Sequence, residues 1–270
     1  MNLELLLIAL LGLIIGSFLN VYILRLNTGR STTGRSGCMS CGVQLIWRDL
    51  VPIFSFAALK GRCRACGSSI SHQYWLVELT TAVLFVLVWV QGFSLIQSIL
   101  ALLLVSVLIV IASYDIRHTI IPNAAVYTFI ALALIANIPA AGTFKLTELP
   151  LHFLPILISG ALVAMPLLLL WLVSRGKWMG LGDVKLVFGF GLILNVYDGL
   201  MAIMLGFILG AIVGVILMYG PKVIKRISLS PTARRFTMSS EIPFAPFLIA
   251  GFFLVFLLKV DLLLLISALI

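Results

Sequence analysis

Two aspartates are the residues best suited to chemistry in this chain. Asp115 ends a run of about twenty apolar residues, the length of a membrane span, and Asp183 closes the segment Gly180-Leu181-Gly182-Asp183. An ionised carboxylate at the centre of a membrane-spanning helix costs about 3 kcal/mol, so an acid beside such a run is a functional candidate. Two adjacent carboxyl groups can share one proton, so that one accepts a proton from water while the other donates to a carbonyl oxygen. This chemistry hydrolyses peptide bonds.

The alternative is structural. Each aspartate could cap a helix or pair with a nearby base, Arg117 for Asp115 and Lys185 for Asp183. Gly180 and Gly182 favour the functional interpretation, because glycine permits unusual backbone conformations and close approach beside the carboxylate.

Two further acids, Glu78 and Glu241, stand near the starts of apolar runs. Capping the start of a helix is the role that their positions favour, and lining the aspartate site is the alternative.

Four cysteines form a second constellation. They occur as the pairs Cys38/Cys41 and Cys63/Cys66, with 21 residues between the pairs. Two CxxC pairs at this spacing indicate a structural zinc site, in which each pair supplies two thiolates to one tetrahedral ion. Disulfides or free thiols remain the alternative. Gly42 and Gly67 each follow a second cysteine, where a tight turn requires a flexible residue.

The elements that position these residues are predicted to be membrane-spanning helices. Hydrophobic residues make up 62% of the chain and charged residues 10%, and the mean hydropathy is +1.23. A soluble globule of 270 residues needs more polar surface than this. We expect an all-α polytopic protein in a phospholipid bilayer, with about eight spans. The predicted spans are 3–24, 77–91, 95–113, 124–141, 153–173, 185–197, 199–219 and 244–264.

The basic residues predict the orientation, because cytoplasmic loops retain lysine and arginine. An N-terminus outside the membrane places 16 of the 18 basic residues in cytoplasmic loops and leaves only Lys145 and Lys259 outside. Asp115, Asp183 and the cysteines then share the cytoplasmic side, where disulfides are disfavoured. The net charge of +9 is explained by these loops, so no nucleic-acid partner is expected.

A series of motifs extends along nearly the whole chain. It comprises Gly16-Ser17-Phe18-Leu19-Asn20-Val21, the paired CxxC segment, Gly61-Arg62-Cys63-Arg64 with Ile70-Ser71, Val77-Glu78-Leu79, Asp115 with Ile121-Pro122, Gly180-Leu181-Gly182-Asp183-Val184-Lys185-Leu186, and Ile242-Pro243-Phe244-Ala245-Pro246-Phe247. In their order and spacing these motifs resemble those of the type IV prepilin peptidases, membrane aspartyl proteases of the GxGD class.

The resemblance implies a catalytic pair, Asp115 and Asp183, and zinc ligands Cys38, Cys41, Cys63 and Cys66. It also implies cleavage of the basic leader of prepilins and type II secretion pseudopilins, at the cytoplasmic face of the bacterial inner membrane. Many members also methylate the new N-terminal residue with S-adenosylmethionine, but the sequence identifies no residues for that cofactor. The chain departs from the family pattern at Asn123, at Ala245 and at Met39-Ser40, positions where Asp, Gly and a proline-containing spacer are common.

The predicted organisation is a first transmembrane helix at 1–24, a cytoplasmic four-cysteine segment at 25–76 and a protease core at 77–270. Two functions from other classes compete with proteolysis. An ion- or proton-coupled transporter would use the same two aspartates as ligands. A membrane-anchored zinc module would only recruit a partner. A preflagellin peptidase is a related alternative, against which the cysteine segment argues.

Overall fold

A computed structural model describes residues 3–28, 34–138, 149–225 and 243–261, which contain helices, turns and two isolated β-bridges but no strand. The helices are α1 (Leu3–Arg25), α2 (Phe54–Ala58), α3 (Gln73–Val90), α4 (Leu95–His118), α5 (Asn123–Ala136), α6 (Leu149–Ser174), α7 (Leu181–Ile193), α8 (Val196–Lys225) and α9 (Ala245–Leu258). The predicted all-α class is confirmed for these residues. The predictions for Lys145, Glu241, Ile242 and the basic residues from 226 to 235 lie outside them.

Five of the described helices are long and apolar enough to cross a bilayer. They are Leu3–Arg25, Gln73–Val90, Leu95–His118, Pro150–Ser174 and Val196–Leu217. Helices α5, α7 and α9 have only 13 or 14 residues. At about 1.5 Å per residue such a helix covers roughly 21 Å of a hydrocarbon core about 30 Å thick. The chain is therefore a multi-pass membrane protein, and the predicted count of about eight spans is not confirmed.

The chain divides into two compact units, Met1–Ser113 and Tyr114–Ile270. The boundary falls inside α4, five residues before its end. The first unit contains all four cysteines, and the second contains both aspartates. The predicted three-segment division remains a prediction.

Helices α1 and α3 pack closely in the first unit because glycines remove side chains from their interface. A Cβ atom at Gly12 would lie 2.6 Å from Ala82 Cα, and one at Gly16 would lie 2.7 Å from Glu78 Cα. These pairings also show that the two helices run antiparallel. A larger residue at either glycine would force the helices apart.

Three phenylalanines form the core of the second unit around α7. Phe190 of α7 packs against Phe129 of α5 and Phe252 of α9, with ring centroids 6.0 Å and 4.7 Å away. Gly189 leaves room for the Phe129 ring. This packing, with Asp183 in the first turn of α7, fixes the helix that carries one of the candidate acids.

Gly206, Gly210 and Gly214 are spaced four residues apart, a pattern that predicts close helix packing, and the structure confirms it only in part. A Cβ atom at Gly206 would lie 2.9 Å from Leu248 Cα of α9, whereas no described atom lies within 4 Å of one at Gly214. Close packing of α8 against α9 therefore involves the first half of α8.

Candidate functional site

Asp115 lies in the last turn of α4, which continues to His118 rather than ending at residue 113 as predicted. Its side chain is buried, with 4% of the residue exposed. The carboxylate oxygen Oδ2 accepts a hydrogen bond of 3.1 Å from the backbone N–H of Ala245, the first residue of α9. This N–H has no partner within its own helix, because the first four N–H groups of a helix lack acceptors there.

Asp183 lies in the first turn of α7 and is also buried, with 8% of the residue exposed. Its backbone N–H donates to the Gly180 carbonyl at 3.2 Å, which forms the first turn. Asp115 and Asp183 are near enough for the charge of one carboxylate to act directly on the other. The second unit therefore brings together the two acids that the sequence singled out.

At Gly182, α7 comes close to the segment that follows Asp115. A Cβ atom at Gly182 would lie 2.9 Å from Ile121 Cβ, whereas one at Gly180 would lie 3.6 Å from Asp183 Oδ2, an ordinary contact. The expectation of unusual backbone conformations is wrong for Gly180, whose φ of −76° suits any residue. The prediction of close approach holds for Gly182.

Lys185 is directed at α5. Its ammonium group donates a 3.0 Å hydrogen bond to Asn123 Oδ1 and lies 3.2 Å from the hydroxyl of Tyr127. The alternative in which Lys185 pairs with Asp183 is therefore not the arrangement adopted. Instead, Lys185 links α7, which carries Asp183, to Asn123, the first residue of α5.

Glu78 is placed differently from the prediction. It is the sixth residue of α3 and is 6% exposed, so it does not cap the helix start. It belongs to the first unit, and its Oε2 accepts a 2.7 Å hydrogen bond from the backbone N–H of Ile53. This hydrogen bond joins residues 25 positions apart in the chain, and the residue pattern carried no sign of it.

The four cysteines converge in the first unit. The sulfurs of Cys38, Cys41, Cys63 and Cys66 all lie within 4.8 Å of one another. The Sγ atoms of Cys38 and Cys66 are 3.8 Å apart, which matches the edge of a tetrahedron with metal–sulfur bonds of about 2.3 Å. The donor set therefore fits one thiophilic, tetrahedral metal ion.

Each cysteine pair sits on the same type of backbone turn. The N–H of Gly42 donates to the Cys38 carbonyl and the N–H of Gly67 donates to the Cys63 carbonyl, both at 2.9 Å. The φ angles of these glycines are +73° and +71°, which confirms the predicted need for glycine after each pair. The turns aim both sulfurs of a pair at a common point.

Hydrogen bonds favour the thiolate form at two of the four cysteines, Cys38 and Cys66. Backbone N–H groups of Cys41 and Ser40 lower the pKa of the Cys38 thiol to about 6, and the Ser68 hydroxyl lowers the pKa of Cys66. The pKa of Cys41 rises to about 11, because contacts with the other thiols and burial outweigh the Val43 N–H that favours its thiolate. Thiolates are the form that binds metal.

The fold and the two clusters define a class: a multi-pass membrane protein with a buried pair of aspartates and a four-thiol module. Comparison with known proteins agrees with this class. The model of the bacterial peptidase A24 N-terminal domain matches residues 10–92, and that of the type IV leader peptidase family matches residues 102–215. No solved structure matches the chain.

Curated relatives named prepilin leader peptidase/N-methyltransferase match most of the chain. The Bacillus subtilis protein is 30% identical, with 91% of each chain covered. The Pseudomonas aeruginosa protein is 31% identical, with 90% of this chain and 86% of the relative covered. The Myxococcus xanthus protein is 43% identical over 42% of this chain and 34% of its own length. The chain belongs to the type IV leader peptidase family.

Proposed function

We propose that the protein removes the leader peptides of type IV prepilins and type II secretion pseudopilins, with Asp115 and Asp183 as its catalytic pair. It then methylates the new N-terminal residue with S-adenosylmethionine. The observation that carries this proposal is the burial of two interacting carboxyl groups in one compact unit. The names of the relatives supply the substrate class and the second activity.

In the proposed reaction the two carboxyl groups share one proton. The ionised member takes a proton from a water molecule, whose oxygen attacks the scissile carbonyl carbon. The protonated member donates its proton to the carbonyl oxygen, and collapse of the tetrahedral intermediate breaks the C–N bond as the leaving amine is protonated. The Ala245 N–H stabilises charge on Asp115, because a hydrogen bond to a carboxylate favours its ionised form.

We place the aspartates and the cysteine segment at the cytoplasmic face, with the N-terminus outside. The distribution of basic residues supports this orientation, since 16 of 18 fall in the loops that it makes cytoplasmic. The four thiolates would hold a zinc ion with no open coordination position, so the metal would stabilise the segment and would not activate water. The geometry of the sulfurs supports this assignment.

Mass spectrometry of the product N-terminus tests both activities. The full chain, purified in detergent, is incubated with a prepilin and S-adenosylmethionine. We expect the leader to be lost and the new N-terminal residue to gain one methyl group. Cleavage in detergent also distinguishes a peptidase from a transporter, because a transporter does not hydrolyse peptide bonds. Recovery of the intact precursor under these conditions would contradict the proposal.

A further inference from the structure

The interface between α1 and α3 contains a buried polar cluster that proteolysis does not use. Ser17 and Asn20 of α1 and Glu78 of α3 belong to sequence motifs singled out above, and all three lie in the first unit. Asn20 is 1% exposed and Glu78 is 6% exposed, while Ser17 is half-buried. Burying these groups between two membrane helices is costly unless they are paired or have a function.

The charge on Glu78 is met by neutral donors alone among the described residues. Its Oε2 accepts a 2.7 Å hydrogen bond from the Ile53 N–H, and the uncharged Ser17 hydroxyl interacts with the same carboxyl group. Neither donor carries charge, so a buried carboxylate at this place has the capacity to accept a cation. Gly16 lets α1 approach the Glu78 backbone closely, which brings Ser17 and the carboxylate together.

Asn20 supplies an independent sign of a binding site. Its Nδ2 donates a 2.9 Å hydrogen bond to the Tyr74 carbonyl. That bond fixes the orientation of the amide, because only the nitrogen end can donate to a carbonyl. Asn20 Oδ1 is buried and has no hydrogen-bond partner among the described residues. A buried acceptor left unpaired costs the full desolvation of that group.

These groups lie close together on the two helices. Asn20 follows Ser17 by three residues on α1, and Tyr74 precedes Glu78 by four residues on α3. Residues at these spacings are neighbours on one helix face, with Cβ atoms about 5 to 6 Å apart. Because Asn20 bonds to the Tyr74 carbonyl and Gly16, the residue before Ser17, meets the Glu78 backbone, the amide and the carboxylate occupy adjacent turns of one interface.

We propose that Ser17, Asn20 and Glu78 form a binding site for a primary ammonium group. An ammonium has three N–H donors and no acceptor, and the cluster offers acceptors: the Glu78 carboxylate, the Asn20 Oδ1 and the Ser17 oxygen. An anion would be repelled by Glu78. The inference rests on the proposed methylation, whose two reactants each carry such a group: the new N-terminus of the processed substrate and the amino-acid portion of S-adenosylmethionine.

Binding measurements on the full chain test the site without requiring turnover. The probes are a synthetic peptide with the N-terminal sequence of a processed prepilin, with its amine free or acetylated, and S-adenosylmethionine. Glu78→Gln keeps an acceptor for the Ile53 N–H but removes the charge. We expect it to weaken binding of one of the two amine probes about tenfold or more. The probe whose affinity falls identifies the source of the ammonium group. The acetylated peptide should bind the variant and the wild type with equal affinity.

Two further variants separate binding from folding. Ser17→Ala removes one half-buried hydroxyl and should weaken the same probe about threefold. Thr81→Val is the matched control, because the Thr81 hydroxyl is buried on the same helix and bonded to the Val77 carbonyl within α3; it should bind both probes as the wild type does. Wild-type affinity of Glu78→Gln for both amine probes would overturn the ammonium site. Failure of leader cleavage by wild-type protein that still binds the probes would instead contradict the proposed function.

Discussion

The two glycines before Asp183 are predicted to differ sharply in their tolerance of a methyl group. In Gly182→Ala the new Cβ would lie 2.9 Å from Ile121 Cβ, 3.3 Å from Cδ1 and 3.4 Å from Cγ1. Non-bonded carbon atoms prefer a separation of about 3.5 to 4.0 Å, so α7 and the Ile121 segment must move apart by roughly 0.6 to 1 Å. Rotation of the Ile121 side chain cannot relieve a contact between two Cβ atoms.

That displacement would separate the elements that carry the two acids. A misplacement of about 1 Å can reduce a catalytic rate about 100-fold, which corresponds to about 2.7 kcal/mol of lost transition-state stabilisation. The overpacking itself should lower the free energy of unfolding by about 1 to 3 kcal/mol. We therefore expect Gly182→Ala to reduce leader cleavage about 100-fold while the protein still inserts and folds.

Gly180→Ala is the matched control. Its Cβ would make only ordinary contacts, the nearest at 3.6 Å, and the backbone at residue 180 suits alanine. Initial rates of leader cleavage in detergent, with thermal unfolding measured on the same samples, should show a rate within about threefold of the wild type. Equal loss of activity in the two variants, or full activity of Gly182→Ala, would refute the steric argument.

Three further predictions concern the cysteine module and the core. Metal analysis of the purified chain should find about one zinc ion, lost in Cys38→Ser/Cys41→Ser but retained in a Ser40→Ala control; a metal-free protein with a folded segment would refute this. Because thiolates bind the metal and protons compete for them, zinc affinity should fall as the pH is lowered, and a zinc indicator should report release on acidification; release on raising the pH from about 7 to about 8 would contradict the assignment. Phe190→Ala should lower the stability of the second unit by about 3 to 5 kcal/mol, because the ring is fully buried, and unaltered thermal unfolding would count against the packing described.

Features that depend on residue type and spacing could be predicted from the sequence. The all-α class, the convergence of the four cysteines and the glycine turns after each pair followed from composition and from the CxxC pattern. The count of basic residues predicted that Asp115 and Asp183 share one side of the membrane. The structure places both in one unit, with α4 continuing through Asp115 rather than ending before it.

Other features depend on tertiary contacts that leave no mark on the residue pattern. The hydrogen bond to Asp115 comes from a backbone N–H, which every residue other than proline carries, so Ala245 could not be identified as a donor. Glu78 was interpreted as a helix cap because it stands near the start of an apolar run, and its hydrogen bond with Ile53, 25 residues away, could not be read from the sequence. The predicted count of about eight spans is not confirmed, because some apolar runs form helices shorter than a bilayer span among the described residues, such as α7 with 13 residues.

Single-turnover leader cleavage by Asp115→Asn and Asp183→Asn tests the central claim most directly. Asparagine is nearly isosteric with aspartate and cannot exchange a proton in this range, so each variant should insert and fold while the cleavage rate falls by at least about 100-fold. Each variant should still bind S-adenosylmethionine with wild-type affinity, which provides the control for folding. Substantial cleavage by either purified variant would contradict the assignment of these two residues as the catalytic pair.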